Sequence, residues 1–385
     1  MNILHLLSWF PTPDDPTLGN FCIRQIESLP EECHSVILSV YADPKAEETK
    51  VVEMKAERYT HVQVRFPAPR FPIETVRKGW RKWRIYRLYQ RGLDYVREHY
   101  FVPDLIHLHV AYPLGRIVLR WHQRYQIPYL LTEHWTIYQP QNDALLKGRL
   151  RRRVVRIANA AGAILPVSDD LRRNMERVGV RNQFQVIYNV VDTSRFVSAS
   201  PSRTDGKKRL LHISTLRDEA KNFSGLLRVM ERMKEVRQDF ELHVIHDYPA
   251  PDFEEFVRQH GLSDYVIFHG RQTSEGVARF FSQSDLFVLF SNFENLPCVI
   301  VESFASGVPV LSTDVGGIAE IVSPERGMLV HAGDEDALLS RLLYLLDHLD
   351  EYDTAAIRQY AVDTFSKEEI GGQIYRQYQK LLKVL

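Results

Sequence analysis

The run from Asp285 to Leu311 constrains the fold more than any other stretch. Asp285 to Phe290 (DLFVLF) is an apolar run of strand length, and Val308 to Leu311 is another. A loop and a helix are predicted between them. Asn295 is expected to cap that helix and Pro297 to sit in its first turn, where a missing N–H is not needed. Gly307 is expected to end it. Short apolar strands joined through a helix belong to a parallel sheet. Glu294 then lies in the loop at a strand's carboxyl end, where open α/β sheets place ligands. Glu302, eight residues on, is expected about two turns into the helix. Free N–H groups at a helix start favour a diphosphate. A nearby carboxylate can accept two hydrogen bonds from a vicinal diol such as a ribose.

The same alternation fills the chain. Strands are predicted at Asn2–Ser8, Ser35–Val40, His61–Phe66, Asp104–Val110, Tyr129–Thr132, Gly162–Val167 and Phe184–Tyr188. After the polar segment Ser198 to Lys208 the pattern restarts, with strands at Arg209–Ile213, Phe240–His246, Tyr265–Phe268 and Gly327–Val330. The chain has 385 residues, more than one core usually supports, so two domains are expected. No Gly-x-Gly-x-x-Gly follows the first strand and no Walker A motif occurs, which argues against a dinucleotide-binding dehydrogenase or a P-loop enzyme.

The three cysteines, Cys22, Cys33 and Cys298, are far apart and none stands in a metal-ligand spacing. They indicate a reducing compartment and no disulfide framework. No apolar run approaches the ~20 residues of a membrane span, and the early run Ile3 to Phe10 reads as a strand, not a signal peptide. Net charge is zero, but unevenly spread: residues 1–195 hold 29 Lys+Arg and 20 Asp+Glu, and residues 196–385 hold 20 and 29. A basic half and an acidic half suggest different partners.

Within the basic half, residues 77–91 carry seven Lys or Arg and no acid, with Trp80 and Trp83 interleaved at helical spacing with Arg84 and Arg87. A basic, aromatic helix suits an anionic membrane surface; the bland alternative is a solvated helix whose aromatics pack on the sheet. Residues 147–156 form a second basic cluster. His107 and His109 fall on one face of a strand. No third ligand stands near them in sequence, so they are expected to be buried and hydrogen-bonded. His134 stands two residues past Thr132, at the carboxyl end of the strand Tyr129–Thr132, which is a binding-site position in such sheets.

Glu294, Glu302, Ala305-Ser306-Gly307-Val308-Pro309-Val310 and Val315-Gly316-Gly317-Ile318-Ala319-Glu320 together resemble the donor signature of retaining nucleotide-sugar glycosyltransferases of family 4. The resemblance continues more weakly over most of the chain. It implies the GT-B fold, an α/β architecture of two Rossmann-like domains facing an interdomain cleft. The expected domains are residues 1–195, which would bind the acceptor and carry the terminal helix 367–385, and residues 196–366, which would bind the donor.

The resemblance also implies roles. Lys221 would clamp the donor diphosphate. Thr215 stands at the place of the family's arginine, so Arg217 is the candidate to serve with Lys221. Asn295, Leu296 and Pro297 would form the helix start around the phosphates. Glu302 would hold the ribose, Glu294 would face the sugar, and Arg271 would lie near the base. His134 would contact the transferred sugar, and Gly19, Asn20 and His109 would line the acceptor side. The implied donor is a nucleoside-diphospho-sugar and the implied acceptor a saccharide or lipid-linked acceptor. The resemblance implies no metal and no cofactor; nucleic acid is not an expected partner, and a cytoplasmic protein, peripheral on the membrane, is expected. Two rivals remain open at the level of sequence: another enzyme on the same fold, such as a sugar-nucleotide epimerase or a phosphorylase, and a non-catalytic sugar-nucleotide binding subunit.

Overall fold

The computed structural model describes residues 1–11, 18–68, 74–197 and 206–383, with residues 74–82 described by backbone alone. The chain forms two compact units. The first comprises Met1–Val167, Leu171–Ile187 and Ile370–Leu385; the second comprises Ser168–Asp170 and Tyr188–Glu369. By packing, and apart from Ser168–Asp170, the chain leaves the first unit after Ile187 and returns to it at Ile370.

The first unit is built on a sheet of seven strands: β1 (Asn2–Leu7), β2 (His34–Asp43), β3 (Lys50–Lys55), β4 (Tyr59–Pro67), β5 (Leu105–His109), β6 (Tyr129–Glu133) and β7 (Ala163–Pro166). Their order is β3-β4-β2-β1-β5-β6-β7. All pairs are parallel except β3 with β4. Every residue of β5 and β6 is buried, as expected for central strands covered on both faces. The order reverses between β1 and β5, so the carboxyl ends of these strands form the switch point where such sheets bind ligands. Gly19 follows β1 and His109 ends β5 at this point, and His134 follows the next strand, β6.

Two differences from the sequence reading concern this sheet. Strand β3 is an edge strand that no apolar run announces, because most of its side chains are exposed; lysines at both its ends blunt the open edge. Phe184–Tyr188, expected as a strand, makes only one isolated bridge, Ile164 to Phe184. The Ile187 N–H donates to the Pro166 carbonyl at 3.0 Å. Pro166 has no N–H to return, so a regular ladder stops there.

The second unit is a six-stranded parallel sheet: β8 (Lys208–Ser214), β9 (Phe240–His246), β10 (Val266–Gly270), β11 (Leu286–Leu289), β12 (Val310–Thr313) and β13 (Gly327–Val330). The order is β10-β9-β8-β11-β12-β13, with its switch point between β8 and β11. Phe223, Leu226 and Met230 of the helix Phe223–Lys234 pack with Phe240, Val288 and Leu342 in its core.

The last helix, Lys367–Lys383, buries Ile370, Ile374 and Tyr378. Its Gly371 lies so close to helix Asn20–Glu27 that a Cβ there would stand 1.8 Å from the carbonyl oxygen of Ser28, which follows that helix. The Tyr378 hydroxyl meets His107 Nδ1 at 2.6 Å, which ties the chain's end to β5.

Candidate active site

On the second unit, the loop after β11 leads into the helix Cys298–Ala305. Pro297 holds the N-cap position, in an extended conformation, so Asn295 stands two residues before the cap position expected of it. The Asn295 carbonyl accepts the Gly317 N–H at 2.7 Å. The Leu296 carbonyl likewise accepts from Asn189 Nδ2 at 2.7 Å. Because the helix begins at Cys298, Glu302 sits about one turn in, not two, and is buried. The first-turn N–H groups of a helix have no intrahelical partner. Gly307, at φ +71°, ends the helix as expected.

Glu294 is 8% exposed and held on one oxygen by two groups. Ser291 Oγ donates to Oε1 at 2.8 Å, and the Lys221 ammonium forms an ion pair with the same oxygen. Lys221 reaches it because two loops are joined. The Asn292 N–H donates to the Ala220 carbonyl at 2.8 Å, and Asn292 Nδ2 donates to the Glu219 carbonyl at 3.0 Å. The short helix Asp218–Lys221 is thereby fixed against the loop that carries Glu294. The paired glycines hold the same loop from another side. Gly316 has φ +59°, and a Cβ on it would stand 2.1 Å from the Glu294 carbonyl oxygen. Only glycine permits that approach.

Arg217 and Arg271 meet around the loop after β9. The Arg217 guanidinium lies 5.8 Å from the Tyr248 ring centroid. Arg271 pairs with Asp247 at 3.5 Å and donates to its carbonyl at 3.2 Å. Beneath Arg217, buried His212 makes a directional chain. A carbonyl can only accept, so His212 Nδ1 donates to the Val288 carbonyl (2.9 Å). Nε2 is then the acceptor for the Ser214 hydroxyl (2.8 Å), whose oxygen accepts the Leu216 N–H (3.1 Å). Burial pushes the His212 pKa down to about 4, against the opposing pull of the Val288 bond. The ring is thus neutral at pH 7, as this chain requires.

On the first unit, Glu133 organises the turn that carries His134. This carboxylate has no exposed surface. It accepts the N–H groups of His134 and Trp135 on Oε1 and of Ala111 on Oε2, each at 3.0 Å, with the Tyr138 hydroxyl on Oε2 at 2.9 Å. Burial raises its pKa and these four donors oppose the rise. The His134 ring packs 4.5 Å from that of Phe21, and Trp9 lies edge-on to both Phe21 and Trp135. Gly19, at φ +72°, precedes the helix Asn20–Glu27; a Cβ there would stand 2.3 Å from the Trp9 carbonyl oxygen.

The histidine expectation needs two corrections. His107 is hydrogen-bonded at both nitrogens, but its neighbour His109, stacked on it at 4.0 Å, has a partner at neither. Burial takes the His109 pKa down to about 3, and the residue is wholly buried, with no surface to offer an acceptor. Nor do the two histidines lack a third ligand. The fold brings His5 to them, and it also gathers Cys22, His109 and His134 into a second group of metal-ligand type.

Residues 18–195 match the profile of Glycosyltransferase Family 4, and residues 207–348 match that of Glycosyl transferases group 1. This chain belongs to the group 1, family 4 glycosyltransferases. It is 24% identical to the Bacillus subtilis protein named as a teichuronic acid biosynthesis glycosyltransferase, TuaC, over 98% of this chain and 94% of that one. Among solved structures it is similar to sucrose-phosphate synthase from Thermosynechococcus elongatus, at 18% identity with a TM-score of 0.80 and full coverage of both chains. It is also similar to HepE from Anabaena in complex with UDP-glucose, at 18% identity with a TM-score of 0.72, over 99% of this chain and all of that one. The two mostly parallel sheets are those of the GT-B fold.

Several residues that shape this glycosyltransferase's site escaped the sequence reading. Glu133, His212, Ser214 and Tyr248 belong to no motif. The Glu133 bond to Ala111 and the His212 bond to Val288 join residues 22 and 76 apart, and the other bonds of Glu133 and Ser214 are local. A glutamate closing a mostly apolar strand was the one available signal, because a buried carboxylate must find donors.

The basic face is described in part. The side chains of Arg77, Lys78, Trp80, Arg81 and Lys82 lie outside the described residues, on the backbone of the helix Glu74–His99. Trp83 is 57% exposed, with the Arg87 guanidinium 4.7 Å from its ring. That corrects the bland alternative for Trp83, which does not pack on the sheet. In the second cluster Lys147, Arg149, Arg151, Arg152 and Arg156 are exposed, along the helix Gly148–Asn159. Exposed Leu145 precedes them. Among the described residues no helix is long and apolar enough to cross a membrane.

Proposed function

We propose that this glycosyltransferase moves a hexosyl group from a nucleoside-diphospho-sugar to an acceptor hydroxyl with retention of configuration, in the assembly of a cell-surface polysaccharide or glycolipid. The observation that carries the reading is the assembly of Lys221, Glu294 and Ser291 beside the start of the helix Cys298–Ala305, with Glu302 buried one turn in. A diphosphate at that start receives helix N–H groups. Lys221 then exchanges its Glu294 partner for phosphate oxygens, with Arg217 as a second cation. Glu302 accepts the ribose hydroxyls, and the backbone of Asn295, Leu296 and Pro297 shapes the phosphate cradle. Arg271, at the end of the edge strand β10, serves the base.

The chemistry requires stabilisation of charge on the departing diphosphate. As the anomeric C–O bond breaks, negative charge grows on the β-phosphate. Lys221 and the helix start face that charge, and preorganised groups of this kind are usually the largest catalytic contribution. The acceptor oxygen bonds the anomeric carbon on the face the diphosphate leaves, and its proton passes to the leaving phosphate. Glu294, freed from Lys221, can accept from sugar hydroxyls. These cations supply the positive charge without a required metal. The first unit would bind the acceptor, with His134 directed to the transferred sugar. The exposed basic residues of 77–91 and 147–156 would hold this cytoplasmic protein on an anionic membrane face, where a lipid-linked acceptor is presented.

A panel of nucleotide sugars tests the reading by thermal shift. A ligand at about 100 times its dissociation constant adds about 2.7 kcal/mol. At about 2–4 °C per kcal/mol for a domain of roughly 150–250 residues, the midpoint should rise by roughly 5–11 °C. A panel in which no nucleoside diphosphate or its sugar raises the midpoint would refute the donor assignment.

A further inference from the structure

We infer that Cys22, His109 and His134 form a binding site for one thiophilic divalent ion of the zinc class, separate from the donor chemistry. The Cys22 sulfur and a ring nitrogen of each histidine lie within 4.8 Å of one another, and all three residues are buried. His109 supplies the independent observation. It has no exposed surface, yet neither ring nitrogen has a hydrogen-bond partner. A neutral imidazole carries one N–H and one lone pair. Buried groups of this kind are almost always paired in a native structure, and a metal ion on the lone pair is one way to pair it.

The alternative group, His5, His107 and His109, is less suited. His107 already uses both nitrogens, on Tyr378 at 2.6 Å and Thr132 at 2.7 Å. His5 Nε2 is taken by Ser35 at 3.1 Å. Ligation through His107 would break a bond that anchors the last helix. Ligation through Cys22, His109 and His134 leaves that bond intact.

The surrounding frame is already in place. The Cys22 N–H donates to the Gly19 carbonyl at 3.0 Å, which sets the first turn of its helix. Glu133 fixes the His134 backbone, and stacking on His107 orients His109. One thiolate and two imidazoles select zinc, cobalt or copper over magnesium or calcium. Three protein ligands leave a fourth position open. On binding, the Cys22 thiol releases its proton to solvent as the sulfur–metal bond forms, and the neutral imidazoles bind through lone pairs without losing a proton. One proton is released per ion, so affinity rises with pH. Occupancy also removes the His134 ring from other use, so zinc should inhibit sugar transfer.

The test uses the untagged full chain, stripped with a chelator and titrated with Co²⁺. One equivalent should produce the visible bands of tetrahedral cobalt and a near-ultraviolet thiolate-to-cobalt band, and Zn²⁺ should bleach both. Cys22→Ser should lose the thiolate band, and Cys298→Ser should keep it. His109→Gln should weaken binding by more than the roughly 10–100-fold typical of losing a supporting contact, and His5→Gln should leave it unchanged. No thiolate band in the wild type overturns the site, whatever the variants do. A band that survives Cys22→Ser overturns it equally.

Discussion

Replacing Glu133 with glutamine tests whether one buried carboxylate holds the His134 turn. The wild-type side chain accepts four hydrogen bonds, two on each oxygen, with no access to water. A glutamine has one acceptor oxygen and one donor NH₂. If the NH₂ replaces Oε1, it faces two backbone donors, those of His134 and Trp135. If it replaces Oε2, it faces only the Ala111 N–H, because the Tyr138 hydroxyl can turn and accept. The second arrangement costs less and strands one buried N–H, which is worth about 1–3 kcal/mol. The remaining bonds lose their charge assistance, and relief of a buried charge offsets part of that loss. Glu133→Gln should therefore lower the unfolding free energy by about 1–3 kcal/mol, and Glu133→Ala by more, since it strands all three N–H groups. Urea unfolding at pH 7 measures both. Nucleoside diphosphate affinity should stay at the wild-type value, because the residues proposed to bind it belong to the other unit. A glutamine variant within 0.5 kcal/mol of wild type, roughly the scatter of neutral substitutions, would refute the reasoning.

Glu302→Gln keeps the side chain's shape but removes its charge, and should weaken nucleoside diphosphate binding by about 1.5–3 kcal/mol in calorimetry; unchanged affinity would remove the ribose assignment. Lys221→Ala should lower turnover by about 10²–10³-fold. Wild-type activity lost to a chelator and restored by magnesium would contradict the proposed metal-free role of that lysine. Acid should destabilise the fold through its neutral buried histidines. His61 and His212 are held down to about 4 and His109 to about 3, mainly by burial. The unfolded chain binds these protons first, so stability is full above about pH 6.5 and falls as pH drops toward 4, by up to about 1.4 kcal/mol per pH unit for each histidine. Flat urea midpoints between pH 7 and 5 would exclude this. Replacing Arg77, Lys78, Arg81 and Lys82 with glutamate should abolish salt-sensitive sedimentation with anionic liposomes while sparing nucleotide binding; wild type that ignores such liposomes at low salt would make the helix an ordinary solvated face.

The local text of the chain determined which elements exist. The apolar runs at 104–110, 129–132 and 285–290 became central strands because burial on both faces demands continuous apolar sequence. Gly307 ended its helix, and Gly316 met a backbone too closely for any side chain, for reasons of φ and size that a glycine states by itself. Where local preference was weak, the sequence misled. Asn295 has the chemistry of a cap, yet Pro297 takes the N-cap position, so the helix starts later and Glu302 sits one turn nearer its start. The edge strand β3 shows no apolar pattern because neither face is buried. What only the tertiary structure decided are the pairings. Lys221 and Glu294 stand 73 residues apart, and the Asn292 bonds to Glu219 and Ala220 bring them together. Cys22, His109 and His134 come from a helix and two strand ends that meet only because β1 lies beside β5 and β5 beside β6. Such contacts depend on strand order, and a one-dimensional pattern of propensities carries no record of it.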